Sequence, residues 1–106
     1  MRKNEVEHQL SSIVHKITEH INPVKIILFG SRARSDYHPD SDYDLVIIYD
    51  GEKSRREVKL EIRRLFRPPG FSMDLFVLSS KELESQKQIA NSLAREITEN
   101  GIVVYE

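Results

Sequence analysis

The chain has 106 residues, a length that supports one folded domain with its own core. Its formal net charge of −1 predicts no general attraction to nucleic acid or anionic membranes. The lack of cysteine excludes disulfides and thiolate metal sites and permits a reducing compartment, so we expect a cytoplasmic protein. No apolar run approaches the roughly 20 residues that span a bilayer, and the N-terminus lacks the apolar segment of a secretory signal.

Apolar periodicity predicts two helices in the first two thirds of the chain. Spacings of three and four predict one over residues 5–21, which Asn22-Pro23 ends because the residue before a proline avoids helical angles. The same periodicity predicts a helix over residues 53–66. Its other positions form either a solvated face or a basic docking surface for RNA or an acidic partner. The cations there are Lys53, Arg55, Arg56, Lys59, Arg63 and Arg64.

The C-terminal part predicts a last helical region and a short strand. Ser79-Ser80-Lys81-Glu82 has the pattern of a capping box, which marks a helix N-terminus. After a break near Ser85, an apolar stripe continues at Ile89, Leu93 and Ile97. Asn100-Gly101 is a helix stop, and residues 102–105 predict a terminal strand or an apolar tail.

Three apolar runs predict the main strands, at residues 24–29, 45–48 and 71–78. The run Leu45 to Ile48 has no polar alternation, which indicates a central strand covered on both faces. We therefore expect an α/β (α+β) fold in which helices pack on a small mixed sheet of three to four strands, with residues 1–106 forming a single domain.

Two acidic residues open the second of these strands. Asp42 and Asp44 are two positions apart, so they point to the same side while Tyr43 points away. Two like charges side by side are costly unless a cation lies between them. Carboxylate oxygens are the natural ligands of Mg²⁺. The pair therefore predicts a metal site.

The first strand stops at Gly30-Ser31, which predicts a site for an anion. Glycine lets a ligand approach the main chain, and Ser31 stands at a predicted helix N-terminus, where free N–H groups favour negative charge. Arg32 and Arg34 follow within one turn, either as bidentate phosphate ligands or as solvated side chains. This turn favours a phosphate and the two acids favour a metal ion. Residues 24–48 together therefore predict a nucleoside-triphosphate site.

A third acid, Asp74, lies within the apolar run of the third strand. We expect it to be buried, and an isolated buried carboxylate is costly unless it is hydrogen-bonded, paired or metal-bound. It is therefore either held by backbone donors or a ligand of the cation at Asp42 and Asp44, and the existing pair favours the second interpretation.

These residues together resemble the nucleotidyltransferase superfamily typified by DNA polymerase β, and in particular its minimal, single-domain branch. That family combines an apolar strand, a Gly-Ser pair, an Asp-apolar-Asp motif and a third acid on a later strand. Here the motif reads Gly30-Ser31, ten intervening residues, then Asp42-Tyr43-Asp44, with Asp74 as the third acid. The resemblance covers most of the chain.

The resemblance implies transfer of a nucleoside monophosphate, with ATP as the donor by analogy. Asp42 and Asp44 would bridge two Mg²⁺ ions, and Asp74 would serve the second ion and position or deprotonate the acceptor hydroxyl. The remaining implied residues would hold the phosphates of the nucleotide. They are Gly30, Ser31, Arg32 and Arg34.

The resemblance also implies a protein partner. Minimal members of this family are commonly paired with a small helical protein of the HEPN class, a nuclease toxin. The expected function is then that of an antitoxin that adenylylates a partner tyrosine. Two alternatives remain open: a non-catalytic module that masks its partner by contact, and an RNA-directed transferase whose acceptor binds the basic helix.

Overall fold

The computed structural model describes residues 3–30, 33, 42–66 and 71–106. The elements within these ranges, in chain order, are α1 (Lys3–Ile21), β1 (Lys25–Phe29), β2 (Tyr43–Ile48), α2 (Arg55–Leu65), β3 (Met73–Leu78), α3 (Ser80–Gln86), α4 (Leu93–Asn100) and β4 (Ile102–Tyr105). None of the helices in these ranges combines the length and the apolar character that a membrane crossing requires.

The strands form one mixed sheet in the order β3-β2-β1-β4. β1 is antiparallel to both of its neighbours, β2 and β4, whereas β2 and β3 are parallel. The predicted α/β class is confirmed, as is the terminal strand. The prediction that Leu45 to Ile48 form a central, doubly covered strand is also confirmed, since each of these residues is buried. That residues 1–106 form a single domain stays a prediction.

Helices cover both faces of the sheet. On one face, α1 and α2 bury apolar side chains that include Ile17 and Ile62 against alternate residues of the strands, such as Leu45. On the other face, Ile97 of α4 packs with the intervening residues, such as Val46. The period of two in β2 thus divides the buried side chains into two clusters, and the acids at its start share the face of Val46.

Capping boxes start two of the helices. The predicted box at Ser79 and Glu82 is present and begins α3. A second box, formed by Ser54 and Glu57, begins α2 at Arg55, two residues later than the periodicity predicts. The first turn of α2 is therefore determined by the Ser54 hydroxyl and not by the charged residues that precede it.

The predicted break near Ser85 is confirmed by the end of α3, whereas the prediction that Ile89 belongs to the apolar stripe is wrong. α3 ends at Gln86, α4 begins at Leu93, and Ile89 lies between them with 56% of its surface exposed. The reason is local: the Ser92 hydroxyl accepts a hydrogen bond from the Arg95 N–H and donates one to the carbonyl of Gln86 at 2.9 Å. This cap starts a new helix, so the chain before it leaves helical geometry.

A hydrogen-bonded acid anchors the start of α3. The carboxylate of Asp50 accepts from the Ser80 N–H at 2.8 Å and from the Ser80 hydroxyl at 2.6 Å. These bonds hold the pKa of Asp50 below its ordinary value, the side-chain bond contributing most. Folding therefore favours the charged carboxylate.

We expect Asp50→Ala to lower the melting temperature at neutral pH. A folded-state pKa below the unfolded value gives stability that is present above the unfolded pKa and is lost as pH falls, so the difference from wild type should shrink below about pH 4. Thermal unfolding across this pH range tests it, with Glu52→Ala as an exposed acidic control. A difference in melting temperature that stays constant with pH would contradict a lowered pKa of Asp50.

Candidate active site

The parallel register of β2 and β3 brings two of the predicted acids side by side. Asp44 is the register partner of Asp74, as Tyr43 is of Met73. Register partners on neighbouring strands lie on the same face of the sheet, so the two carboxylates share one face. Asp42 lies one residue before β2 and is exposed. The acids are thus placed at the beginnings of two adjacent parallel strands.

The surroundings of Asp44 disfavour its ionised form. Burial raises the pKa of Asp44 most, followed by the charge of Asp74, the charge of Asp42 and a hydrogen bond with Asp74. Each cause opposes ionisation of Asp44. A cation at this position would reverse the balance, because it would favour the charged form that the neighbouring carboxylates disfavour.

The prediction that Asp74 is buried is wrong. Asp74 is exposed, while the half-buried carboxylate of the pair is Asp44. The reason is the sheet order: β3 is an edge strand, and its first residues have β2 on one side only. The cost of desolvation therefore falls on Asp44 in the interior of the sheet, and Asp74 is left accessible to solvent.

Gly30 provides the space that the Asp44 carboxylate occupies. The register pairs Phe29 with Asp44, so the next residue of the chain lies against this side chain. A Cβ atom on Gly30 would lie 3.1 Å from Cγ of Asp44 and closer still to its Oδ2. Gly30 also has φ of 74°, in the region that favours glycine. The sequence predicted an anion site here, whereas this steric fit depends on a strand register that no local signal reveals.

The remaining predicted nucleotide-binding residues lie outside the described part of the chain. They are Ser31, Arg32 and Arg34. In the turn after β1, the described contact is a hydrogen bond from the Ala33 N–H to the Gly30 carbonyl at 3.1 Å. Phosphate contacts by these three residues therefore stay predictions.

Aromatic contacts support β2 from both sides. Tyr43 is fully buried on the face opposite the acids, where its hydroxyl donates to Oε1 of Gln9 in α1 and its ring meets Phe71 edge-on at 5.5 Å. On the acid face, the rings of Phe29 and Phe76 meet edge-on at 5.4 Å. The strand that carries Asp44 is thus held by neighbours on each face, and the spacing of residues in the sequence did not predict these contacts.

The donor chemistry of the acids fits a hard divalent cation, because all three donors are carboxylates. Within residues 3–30, 33, 42–66 and 71–106, however, no three His, Cys, Asp or Glu side chains already form a group arranged to hold a metal ion. Metal binding by all three acids would therefore require a rearrangement of side chains.

Two surface cavities in the described part of the chain lie away from the acids. One, of about 560 Å³, is lined by residues of the α3–α4 connection and α4, among them Ser92 and Arg95. The other, of about 270 Å³, lies where β3 ends and α2 begins. The candidate site therefore rests on the acids, Gly30 and the strand register, and not on the shape of a cavity.

Comparison with known proteins shows the family of the chain. Residues 11–106 match the family described as "Polymerase beta, Nucleotidyltransferase". The chain therefore belongs to the polymerase β nucleotidyltransferase family, which confirms the resemblance drawn from its motif and the predicted class of enzyme, a nucleotidyltransferase.

A more specific similarity links the chain to a protein-modifying enzyme. It is 31% identical over 87 residues to "Protein adenylyltransferase MntA" of Aphanizomenon flos-aquae (strain 2012/KM1/D3). The match covers 76% of this chain and 55% of that protein. The chain thus spans about half the length of the curated relative that it matches.

Proposed function

We propose that this protein transfers AMP from ATP to a hydroxyl group on a partner protein in a Mg²⁺-dependent reaction. The favoured acceptor is a tyrosine of a HEPN-type toxin, so that the protein acts as an antitoxin in the cytoplasm. The observation that carries the proposal is the register that sets Asp44 beside Asp74, with Asp42 next to them. Similarity to a protein adenylyltransferase supports the choice of donor and acceptor.

In this proposal the acceptor oxygen bonds to the α-phosphorus of ATP, and pyrophosphate leaves with the electron pair of the bond that breaks. Divalent cations, two by analogy with the family, would neutralise the phosphates and the leaving group. Asp42 and Asp44 would hold both ions and Asp74 would hold the second. Asp74 would also orient the acceptor hydroxyl and receive its proton. Its exposure leaves room for an acceptor that is itself a folded protein.

Nucleotide binding is assigned to the turn after β1. Gly30 would allow the triphosphate to approach the backbone while its missing side chain leaves Asp44 in place. Ser31 would contact the β- and γ-phosphates, with Arg32 or Arg34 in support. These contacts follow the family motif.

A non-catalytic antitoxin is the second candidate, and one observation favours it. Among the described residues, the acids do not form a group already arranged to hold a metal ion. A protein that masks its partner by contact would not need such a group. Binding of the partner without any transfer would then be the complete function.

Labelled ATP separates these candidates. Purified protein, Mg²⁺ and ATP labelled at the α-phosphate are incubated with the protein encoded beside it, with host RNA, and alone. We expect label on a partner tyrosine, its loss in Asp42→Asn/Asp44→Asn, and its retention in Asp50→Asn, a carboxylate outside the site. Label on RNA would instead identify an RNA-directed transferase. Tight partner binding without label in any mixture would identify the masking module.

A further inference from the structure

The solvent side of α2 forms a basic surface with an apolar centre, which we call the α2 outer face. Leu60 is 42% exposed. Residues three and four positions away on a helix are its surface neighbours, and around Leu60 these are Arg56, Glu57, Arg63 and Arg64, all exposed. Lys59 is adjacent and half-buried. The opposite side of α2 is committed to the core through Val58 and Ile62.

The carboxylates of α2 offset only part of the positive charge of this face. Glu61 is ion-paired with Lys53, whose Nζ lies 2.7 Å from its Oε1, and Glu57 closes the capping box with Ser54. Arg55 pairs with Glu82 of α3. Within the described ranges, ion-pair partners are absent for the cations that surround Leu60. In a chain with net charge −1, the α2 outer face is therefore a local concentration of positive charge.

The α2 outer face reaches the edge of the sheet at the start of β3. Nη1 of Arg63 donates a hydrogen bond to the backbone carbonyl of Met73 at 3.4 Å. Met73 is the first residue of β3 and directly precedes Asp74. A polypeptide lying on this face would thus reach the edge strand next to Asp74, and would have to cross that edge to meet the Asp74 carboxylate, which lies on the other face of the sheet.

The mixture of an exposed leucine and surrounding arginines favours a protein ligand over RNA. Protein interfaces combine an apolar centre with a polar rim in which arginine is enriched, whereas a phosphate backbone is bound through cations alone. We propose that the α2 outer face docks an acidic segment of the acceptor protein, with an apolar or aromatic side chain of that segment over Leu60. This inference rests on the proposed function, which makes the acceptor a protein.

A dye-labelled random copolymer of glutamate and tyrosine is a suitable probe, because it is acidic, extended and carries both aromatic rings and hydroxyls. Its binding to the full chain is measured by fluorescence anisotropy, beside a single-stranded RNA of equal charge. We expect Arg56→Glu to weaken copolymer binding about tenfold, equivalent to about 1.4 kcal/mol, and Arg56→Gln to give a smaller loss. Lys81→Glu, an exposed charge reversal on α3, should change it less than about twofold.

Leu60→Ser separates the two kinds of ligand. It should weaken binding of the copolymer about threefold or more and leave RNA binding unchanged, since only the polypeptide would use the apolar centre. Equal weakening by Lys81→Glu and Arg56→Glu would overturn the proposal. So would tighter binding of RNA than of copolymer together with no effect of Leu60→Ser, a result that would identify a nucleic-acid surface.

The transfer reaction distinguishes failure of this inference from failure of the proposed function. With the copolymer as acceptor, Arg56→Glu should raise KM and leave kcat unchanged, because Arg56 is remote from the reacting atoms in this proposal. Specific binding without any transfer would support the α2 outer face and remove the enzymatic function. If Arg56→Glu and Leu60→Ser left the rate of transfer to the partner protein unchanged, the enzymatic function would be supported and the docking surface would be refuted. Melting temperatures confirm that each variant is folded.

Discussion

Asp44→Asn is expected to abolish nucleotidyl transfer and, in the metal-free protein at neutral pH, to raise the melting temperature. Asparagine has nearly the shape of aspartate, so the fold should persist. It removes the negative charge that burial and two neighbouring carboxylates oppose. The same change deprives a cation of a central ligand, and we expect transfer to fall by more than about 100-fold.

The pH dependence of this stabilisation has a definite sign. The pKa of Asp44 is raised in the folded state, so its ionised form costs stability above the folded pKa, and this cost disappears as pH falls through that value. The advantage of Asp44→Asn should therefore be largest at neutral pH and vanish in acid. Asp50→Ala should change the melting temperature in the opposite direction at neutral pH, because the pKa of Asp50 is lowered in the folded protein. A lower melting temperature for Asp44→Asn at neutral pH would show that the charge is compensated within the fold.

Added magnesium should favour the stability of the wild-type protein over that of Asp44→Asn. A ligand that binds only the folded state raises the melting temperature, and tighter binding gives a larger rise. Added Mg²⁺ should therefore stabilise the wild-type protein more than Asp44→Asn, and EDTA should restore the original order. An equal response of both proteins would place any bound magnesium away from Asp44.

Gly30→Ala is expected to impair both folding and transfer. The new methyl group would overlap the Asp44 carboxylate, and alanine at a φ of 74° carries additional strain of about 1–3 kcal/mol. The Asp44 side chain would have to rotate away, which removes it from Asp42 and Asp74. Urea unfolding and the rate of label transfer measure the two effects separately.

A double-mutant cycle isolates the steric part. In an Asp44→Ala background there is no carboxylate to displace, so Gly30→Ala should cost only the backbone strain, and the two changes should be less than additive. Gly51→Ala is the matched control: its Cβ would meet the tip of the Tyr49 side chain, which can move, and φ there is not positive. Strict additivity at Gly30 and Asp44 would contradict a direct contact between them.

Much of the fold could be predicted because its signals are local. Apolar periodicity located α1 and the strands, and the side-chain hydroxyl of Ser79 located the start of α3. Ser92 restarts a helix by the same chemistry, but its cap was hidden within a stretch whose apolar spacing suggested continuity. Local patterns therefore identified the elements and the break near Ser85, but not the residue at which α4 begins.

The sequence predicted which residues form the site, but it predicted their burial and packing less well. The alternation in Asp42-Tyr43-Asp44 is a property of any strand, so the shared side of the two acids could be inferred from spacing. Whether Asp74 is buried depends instead on the order of strands, which is a long-range property. The fit between Gly30 and Asp44 likewise requires the pairing of β1 with β2.

The buried position of Tyr43 also bears on folding fidelity. A slip of β2 by one residue against its neighbours would exchange the two sides of the strand. It would bury Asp42 and Asp44 against α1 and turn the tyrosine ring to solvent, away from Gln9 and Phe71. Both consequences are costly, so the chemistry that would serve the reaction also excludes the misregistered sheet. Selection for these carboxylates would then preserve the correct strand alignment as well.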